Sequence, residues 1–187
     1  MLLYLHGFRS SPRSFKAQLL AQRFAAEGRA DQFLCPQLPV SPAESAALLL
    51  ALTLRFGASE LCLVGSSLGG YYATWLAERI GCRAVLLNPA IRPQRDLARH
   101  LGTQPVYYSD QTIEVVPEHL AELDALWVDT LTQRERYFLI CAKGDEVLDW
   151  REMSARYHGA RQTILEGSDH GLSDFADLID SVLEFAR

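Results

Sequence analysis

Residues 61–76 read LCLVGSSLGGYYATWL, and this stretch decides the fold. Its first four residues are apolar throughout, which is typical of a strand buried on both faces of a parallel sheet. Gly65-Ser66-Ser67-Leu68-Gly69 then matches the pattern G-x-S-x-G, and a helical pattern begins at Leu68. In this pattern a sharp turn between strand and helix exposes the central serine, and the glycines let the two elements approach closely. Ser67 is therefore the candidate nucleophile.

Strands and helices alternate along the rest of the chain. This alternation predicts right-handed crossovers between parallel strands. We expect a three-layer α/β-hydrolase fold, with a minimal, mostly parallel sheet of about six strands and helices on both faces. The predicted strands are Leu2–Leu5, Gln32–Cys35, Leu61–Val64, Arg83–Leu87, Tyr137–Ala142 and Gln162–Leu165; the predicted helices run from Ser11-Pro12 to about Ala26, from Pro42 to near Gly57, and over Leu68–Ile80, Trp150–Tyr157 and Asp174–Phe185.

The length of 187 residues fits one domain, so we expect residues 1–187 to form a single α/β-hydrolase domain. The segment around 93–134 interrupts the alternation, because it is polar, contains Pro105 and Pro117, and shows only a weak helical pattern. We expect it to form a small cap-like excursion over the top of the sheet.

A serine hydroxyl needs a base, and in this fold the acid and then the histidine follow the serine along the chain. Four histidines follow Ser67. His100 and His119 lie in the polar excursion, and His158 lies within a helical pattern. His170 lies in a loop directly after the sixth predicted strand, at the edge of the sheet where Ser67 is expected. We therefore predict that His170 is the base.

The acid is expected after the fifth strand, where three carboxylates compete. Asp149 and Glu152 form a D-x-x-E pattern that is typical of a helix capping box. Glu146 is expected to be solvated. Asp145 directly follows a glycine at the strand end, and no other structural role is predicted for it. Asp145 is therefore the preferred acid.

Two backbone N–H groups are needed to bind the oxyanion that develops during acyl transfer. One is predicted to be that of Leu68, which follows the nucleophile at a helix N-terminus. The other is assigned to Phe8, in the loop after the first strand, where Gly7 permits a close approach to the substrate. His6 is expected to hold that loop by hydrogen bonds. If the first and third strands are neighbours, both loops lie at the crevice where ligands bind in such sheets.

Composition excludes several other classes of function. The net charge of −5 gives no basic surface for nucleic acid, and the longest apolar stretch, Ala46–Leu54, is too short for a membrane span. The four cysteines show no CxxC pairing, so we expect buried, reduced thiols and no zinc site. No signal peptide is recognised, which favours a cytoplasmic protein. We expect no cofactor, no metal, no nucleic-acid partner and no membrane partner.

The sequence resembles the small bacterial YqiA-like esterases of the α/β-hydrolase superfamily. The resemblance spans nearly the full length and includes a long block around the nucleophile. It implies esterase activity on short acyl esters, with the same triad. The residues that carry it are Leu3–Phe8, Ser10–Ser14, Pro36–Pro39, Val64–Leu76, Asn88–Ala90, Gly144–Asp149 and His170.

These observations together predict a serine esterase that hydrolyses small-molecule carboxylic esters through an acyl-enzyme. Ser67, Asp145 and His170 would be its catalytic residues, and the Phe8 and Leu68 N–H groups its oxyanion hole. A thioesterase or acyltransferase could use the same triad, because other nucleophiles can intercept an acyl-enzyme. A catalytically silent binding protein of the same fold is the alternative from a different class. The sequence predicts neither the substrate-binding residues nor the oligomeric state.

Overall fold

The computed structural model describes residues 1–107 and 109–187. Six strands form a central sheet, and every neighbouring pair in it is parallel. The predicted fold class is therefore confirmed. The strand bounds are β1 Leu2–Leu5, β2 Phe33–Leu34, β3 Cys62–Ser66, β4 Arg83–Leu87, β7 Tyr137–Ala142 and β8 Arg161–Leu165. Across the sheet these strands follow the order β2-β1-β3-β4-β7-β8.

Both faces of the sheet are buried, which explains why its strands are apolar throughout. Alternate residues of a strand point to opposite faces. In β1, Leu3 contributes to one core cluster and Leu2 to the other. The first cluster also contains residues of helices α2 (Pro42–Thr53), α3 (Leu68–Ile80) and α6 (Trp150–Arg156), whereas the second contains residues of α1 (Phe15–Ala26) and α7 (Ile179–Phe185). The sheet thus lies between two layers of helices, as predicted.

Several helix boundaries follow from the capping residues of the sequence. Ser41 accepts a hydrogen bond from the Glu44 N–H at the start of α2, and Gly81 ends α3 with a φ of 84°. The first helix begins later than predicted, at Phe15, because the chain around Ser11 forms a turn in which the Ser14 N–H donates to the Ser11 carbonyl. The predicted last helix is divided into a 3-10 turn, Phe175–Leu178, and α7.

The segment 93–134 is more regular than its sequence predicts. It contains α4 (Pro93–Leu97), an antiparallel hairpin of β5 (Gly102–Pro105) and β6 (Thr112–Val115), and α5 (Pro117–Ala125). The Tyr71 hydroxyl of α3 donates to the Leu123 carbonyl of α5 at 2.6 Å. No helix in the described ranges combines the length and the apolar character that crossing a membrane requires.

Gly69 allows the close packing around the β3–α3 turn, so we expect a larger residue at this position to destabilise the fold. A Cβ at this position would overlap the Leu5 carbonyl of β1. We expect Gly69→Ala to lower the free energy of unfolding by ~1–3 kcal/mol or more, since overpacking usually has an effect of this size. Urea unfolding measures the change. Gly167→Ala is the control, because a Cβ there meets no atom within 4 Å, and equal stability of the two variants would contradict the packing explanation.

Candidate active site

Ser67 occupies the turn between β3 and α3 in a strained backbone conformation, with φ 55° and ψ −119°. Its N–H donates to the Leu87 carbonyl at 3.0 Å, and its carbonyl accepts from the Gly70 and Ala90 N–H groups at 2.9 and 3.0 Å. A positive φ costs about 1–3 kcal/mol in a residue other than glycine, so it persists only where the surroundings impose it. Here the neighbouring strand β4 and the loop after it hold the serine in place.

The structure brings together Ser67, His170 and Asp145, three residues that are far apart in the sequence. The Nε2 atom of His170 lies 3.1 Å from the Ser67 Oγ, and its Nδ1 lies 2.8 Å from the Asp145 Oδ2. The Asp145 side chain is fully buried, whereas that of His170 is 21% exposed. With Nδ1–H donating to the carboxylate, Nε2 carries no proton and can accept the proton of the serine hydroxyl.

Asp145 has a second contact that the sequence did not predict. Its Oδ1 accepts hydrogen bonds from the Val147 and Leu148 N–H groups, both at 2.8 Å. The expectation that Asp145 has no other structural role is therefore wrong. The two N–H donors fix the carboxylate so that its other oxygen faces His170.

Glu146 and Asn88 hold the loop of His170. Glu146 is exposed to solvent, as expected, and its Oε2 also accepts the His170 N–H at 3.0 Å. Asn88 is fully buried, with its amide nitrogen donating to the Asp169 and His170 carbonyls at 3.0 and 3.1 Å and its amide oxygen accepting from the Ala142 N–H at 2.9 Å. Sequence reasoning assigned no role to Asn88. An asparagine that directly follows a buried strand was the available signal, since asparagine tolerates the positive φ of 41° found here.

Asp149 caps α6, as the sequence predicts, by accepting the Arg151 N–H at 2.9 Å. The predicted capping box with Glu152 is not formed, because the Glu152 carboxylate makes two hydrogen bonds to Arg95, at 2.9 and 2.8 Å. Within the described part of the chain, Asp149 makes no hydrogen bond to His170. The carboxylate in contact with the histidine is that of Asp145.

The two candidate oxyanion donors, Phe8 and Leu68, line the same cavity as Ser67. Neither backbone N–H donates a hydrogen bond to a residue in the described ranges. A Cβ at Gly7 would lie 3.3 Å from both the Ser66 carbonyl oxygen and the Ser67 Cβ, which is a tight contact. Glycine therefore suits this position beside Ser67. Among the described residues both N–H groups thus have no partner, which leaves them available to an oxyanion.

His6 holds the loop after β1, as expected. Its Nδ1–H donates to the Gly7 carbonyl at 3.0 Å, and its Nε2 accepts the Leu38 N–H at 3.1 Å. Burial lowers the pKa of His6, which favours the neutral ring that this pair of hydrogen bonds needs. His6 is therefore a structural residue of the loop that carries Phe8.

Two cavities meet at Ser67 and His170. The first, here called the apolar cavity, has a volume of about 340 Å³ and is lined by Phe8, Leu68, Ala90, Leu97 and Leu148, with Arg9 and His100 also at its wall. The second, here called the lysine cavity, has a volume of about 310 Å³ and is lined by Tyr4, Ser14 and Lys16 together with Ser67 and His170. Among the described residues, no group of three or more His, Cys, Asp or Glu side chains is placed to hold a metal ion.

Comparison with known proteins identifies the family and the fold of this chain. Residues 1–187 match the family described as "Uncharacterised protein family (UPF0227)". A UPF0227 protein of Yersinia pestis is 21% identical over 192 residues, which cover 99% of this chain and 98% of the relative. Mouse alpha/beta hydrolase domain-containing protein 10 superposes with a TM-score of 0.68 at 15% identity, covering 98% of this chain and 89% of the mouse chain. Est1E of Butyrivibrio proteoclasticus, solved with ferulic acid bound, gives a TM-score of 0.68 at 12% identity, covering 98% and 86%. This chain has the α/β-hydrolase fold and belongs to the UPF0227 (YqiA-like) family.

Proposed function

We propose that this protein is a serine esterase that hydrolyses carboxylic esters through an acyl-enzyme. One observation carries the proposal: the unbroken chain of hydrogen bonds from the Ser67 Oγ through His170 to the buried Asp145, with distances of 3.1 and 2.8 Å. The strained turn that presents Ser67 supports the same reading, because such strain clusters at functional sites.

The reaction begins when the Ser67 Oγ attacks the ester carbonyl carbon while the Nε2 of His170 takes its proton. The carbonyl oxygen becomes an oxyanion, which the Phe8 and Leu68 N–H groups bind. His170 then donates its proton to the leaving alcohol, and the acyl group stays on Ser67. A water molecule, deprotonated by His170, attacks the acyl-enzyme, and the carboxylic acid leaves as Ser67 recovers its proton. Asp145 holds the imidazole and stabilises its protonated form throughout.

The apolar cavity is suited to the acyl chain of the substrate. Apolar side chains, among them Leu68, Leu97 and Leu148, form part of its wall, and Ser67 is one of its lining residues. Its volume of about 340 Å³ lies at the lower end of the roughly 300–1,000 Å³ that ligand pockets span. Short acyl chains therefore suit it best.

The segment 93–134 acts as a small cap on this cavity, within a single domain. Leu97 and His100 of the segment are part of the cavity wall. Two hydrogen bonds join the segment to the loop after β1 that carries Phe8. The Nε of Arg9 donates to the Pro105 carbonyl at 2.6 Å, and the Arg9 carbonyl accepts the Tyr107 N–H at 2.7 Å. Because the cap forms part of the wall and is held by these hydrogen bonds, its position sets the depth of the apolar cavity that is available to the acyl chain.

A panel of substrates tests the proposed reaction. We expect p-nitrophenyl acetate and butyrate to be hydrolysed with a kcat/KM at least ~10-fold above that of the dodecanoate, since long chains exceed the apolar cavity. Acyl-CoA thioesters of the same lengths separate an esterase from a thioesterase. Faster turnover of the thioesters would favour the thioesterase alternative. The absence of hydrolysis in both series would contradict the proposal.

A further inference from the structure

Lys16, in the first turn of α1, lies in an unusual place for a lysine. Its side chain is almost entirely buried, with 9% of the residue exposed, and its ammonium group donates to the Gly171 carbonyl. Burying an ammonium ion is unfavourable unless an opposite charge compensates for the lost hydration. The other lysine of the chain, Lys143, is partly exposed and pairs with Glu166.

The buried charge of Lys16 is not neutralised by a direct ion pair. Across residues 1–107 and 109–187, no carboxylate lies within ion-pair distance of its Nζ. Asp169 and Asp145 attract it only over longer distances, and burial lowers the pKa of Lys16 to about 8. The fold therefore maintains a buried amine that no carboxylate of the described residues contacts directly.

Lys16 and Ser14 are both lining residues of the lysine cavity. Ser14 is 9% exposed, and its Oγ has no hydrogen-bond partner among the residues that the structure describes. The same cavity of about 310 Å³ reaches Ser67 and His170, and none of its described lining residues is acidic. The apolar cavity, by contrast, has two acidic residues at its wall, Asp96 and Glu146, and two arginines, Arg9 and Arg99, so that its formal charges balance. The charge distribution thus distinguishes the two sides of the candidate nucleophile.

We propose that the lysine cavity binds a carboxylate carried by the alcohol half of the ester. This inference depends on the proposed esterase function and specifies its substrate class as acyl esters of small hydroxy acids. The alcohol half is chosen because the acyl chain occupies the apolar cavity, and the two halves of an ester meet at Ser67. Lys16 and Ser14 would donate to the carboxylate oxygens. One ammonium group matches the single charge of a carboxylate, whereas a phosphate dianion would leave a charge uncompensated.

A matched pair of substrates tests this subsite. The pair consists of butyrate esters of 3-hydroxypropanoate and of 3-hydroxypropanamide, which differ in charge and hardly in size. We expect the wild-type protein to hydrolyse the carboxylate ester with a kcat/KM roughly 10- to 100-fold higher, the usual effect of a hydrogen bond to a charged group. We expect Lys16→Met to reduce that ratio to about 1, and Ser14→Ala to reduce it by a smaller factor. Chromatography of the released alcohols measures both rates.

Lys143→Met is the control, because it removes a lysine that lies outside the lysine cavity, and it should retain the wild-type ratio. If the wild-type protein hydrolysed the two esters with equal kcat/KM, the proposed subsite would be wrong, whatever the variants showed. Lys16→Met could also lower both rates by the same factor with its melting curve unchanged. In that case Lys16 would only position the His170 loop through Gly171, and the subsite would be wrong. If wild type hydrolyses neither these esters nor the p-nitrophenyl series, the esterase function itself fails.

Discussion

Ser67→Ala is expected to lower kcat for p-nitrophenyl butyrate by ~10⁶, the loss that accompanies removal of the nucleophile from such a triad. Alanine cannot form the acyl-enzyme, and the remaining oxyanion donors stabilise only a direct attack by water. The fold should survive, since the alanine replaces a serine that already adopts the positive φ of 55° at this turn. Initial rates and far-UV circular dichroism measure the two effects.

A fluorophosphonate probe provides a second readout of the same prediction. It should label wild type at Ser67, as located by mass spectrometry of the peptides, and leave Ser67→Ala unlabelled. Ser66→Ala is the matched control, because it removes the hydroxyl of the preceding residue and should still be labelled. Loss of labelling in Ser66→Ala with labelling retained in Ser67→Ala would show that the nucleophile had been assigned to the wrong serine.

The sheet could be predicted from the sequence because burial on both faces leaves a clear signal. Arg83–Leu87 and Tyr137–Ala142 were predicted with the bounds that the structure gives them. In each strand the apolar run ends where the chain leaves the core. The hairpin of β5 and β6 could not be predicted in this way, because its strands have four residues each and lie mostly at the surface. A short, exposed strand has almost no periodic pattern to recognise.

The approach of Ser67 and His170 was predictable for a topological reason. Both residues follow parallel strands at their carboxyl ends, which share one edge of the sheet. The contacts that hold the site were not predictable, because each joins residues far apart in the chain. Asn88 reaches His170 across 82 positions, and Lys16 reaches Gly171 across 155. Neither contact leaves a spacing that can be read from the sequence.

The second large effect is expected for Asp145→Asn, which should lower kcat by ~10⁴, as the comparable change does in serine proteases. The structure gives a specific reason. Because the Val147 and Leu148 N–H groups both donate to Oδ1, the amide of the variant should keep its oxygen on that side and turn its NH₂ group toward His170. An NH₂ group donates to Nδ1, so the proton of the neutral ring moves to Nε2, which can then no longer accept the proton of Ser67.

The neighbouring carboxylate provides the matched control for this prediction. Asp149→Asn should leave kcat and the free energy of unfolding almost unchanged, because asparagine caps a helix about as well as aspartate. Asp149→Ala should lower the free energy of unfolding by ~0.5–2 kcal/mol with little effect on kcat, since it removes the acceptor for the Arg151 N–H. Measurements of kcat and of urea unfolding for all three variants separate the two roles. A collapse of kcat in Asp149→Asn with Asp145→Asn nearly intact would mean that Asp149, although it caps α6 in this structure, orients the histidine during the reaction.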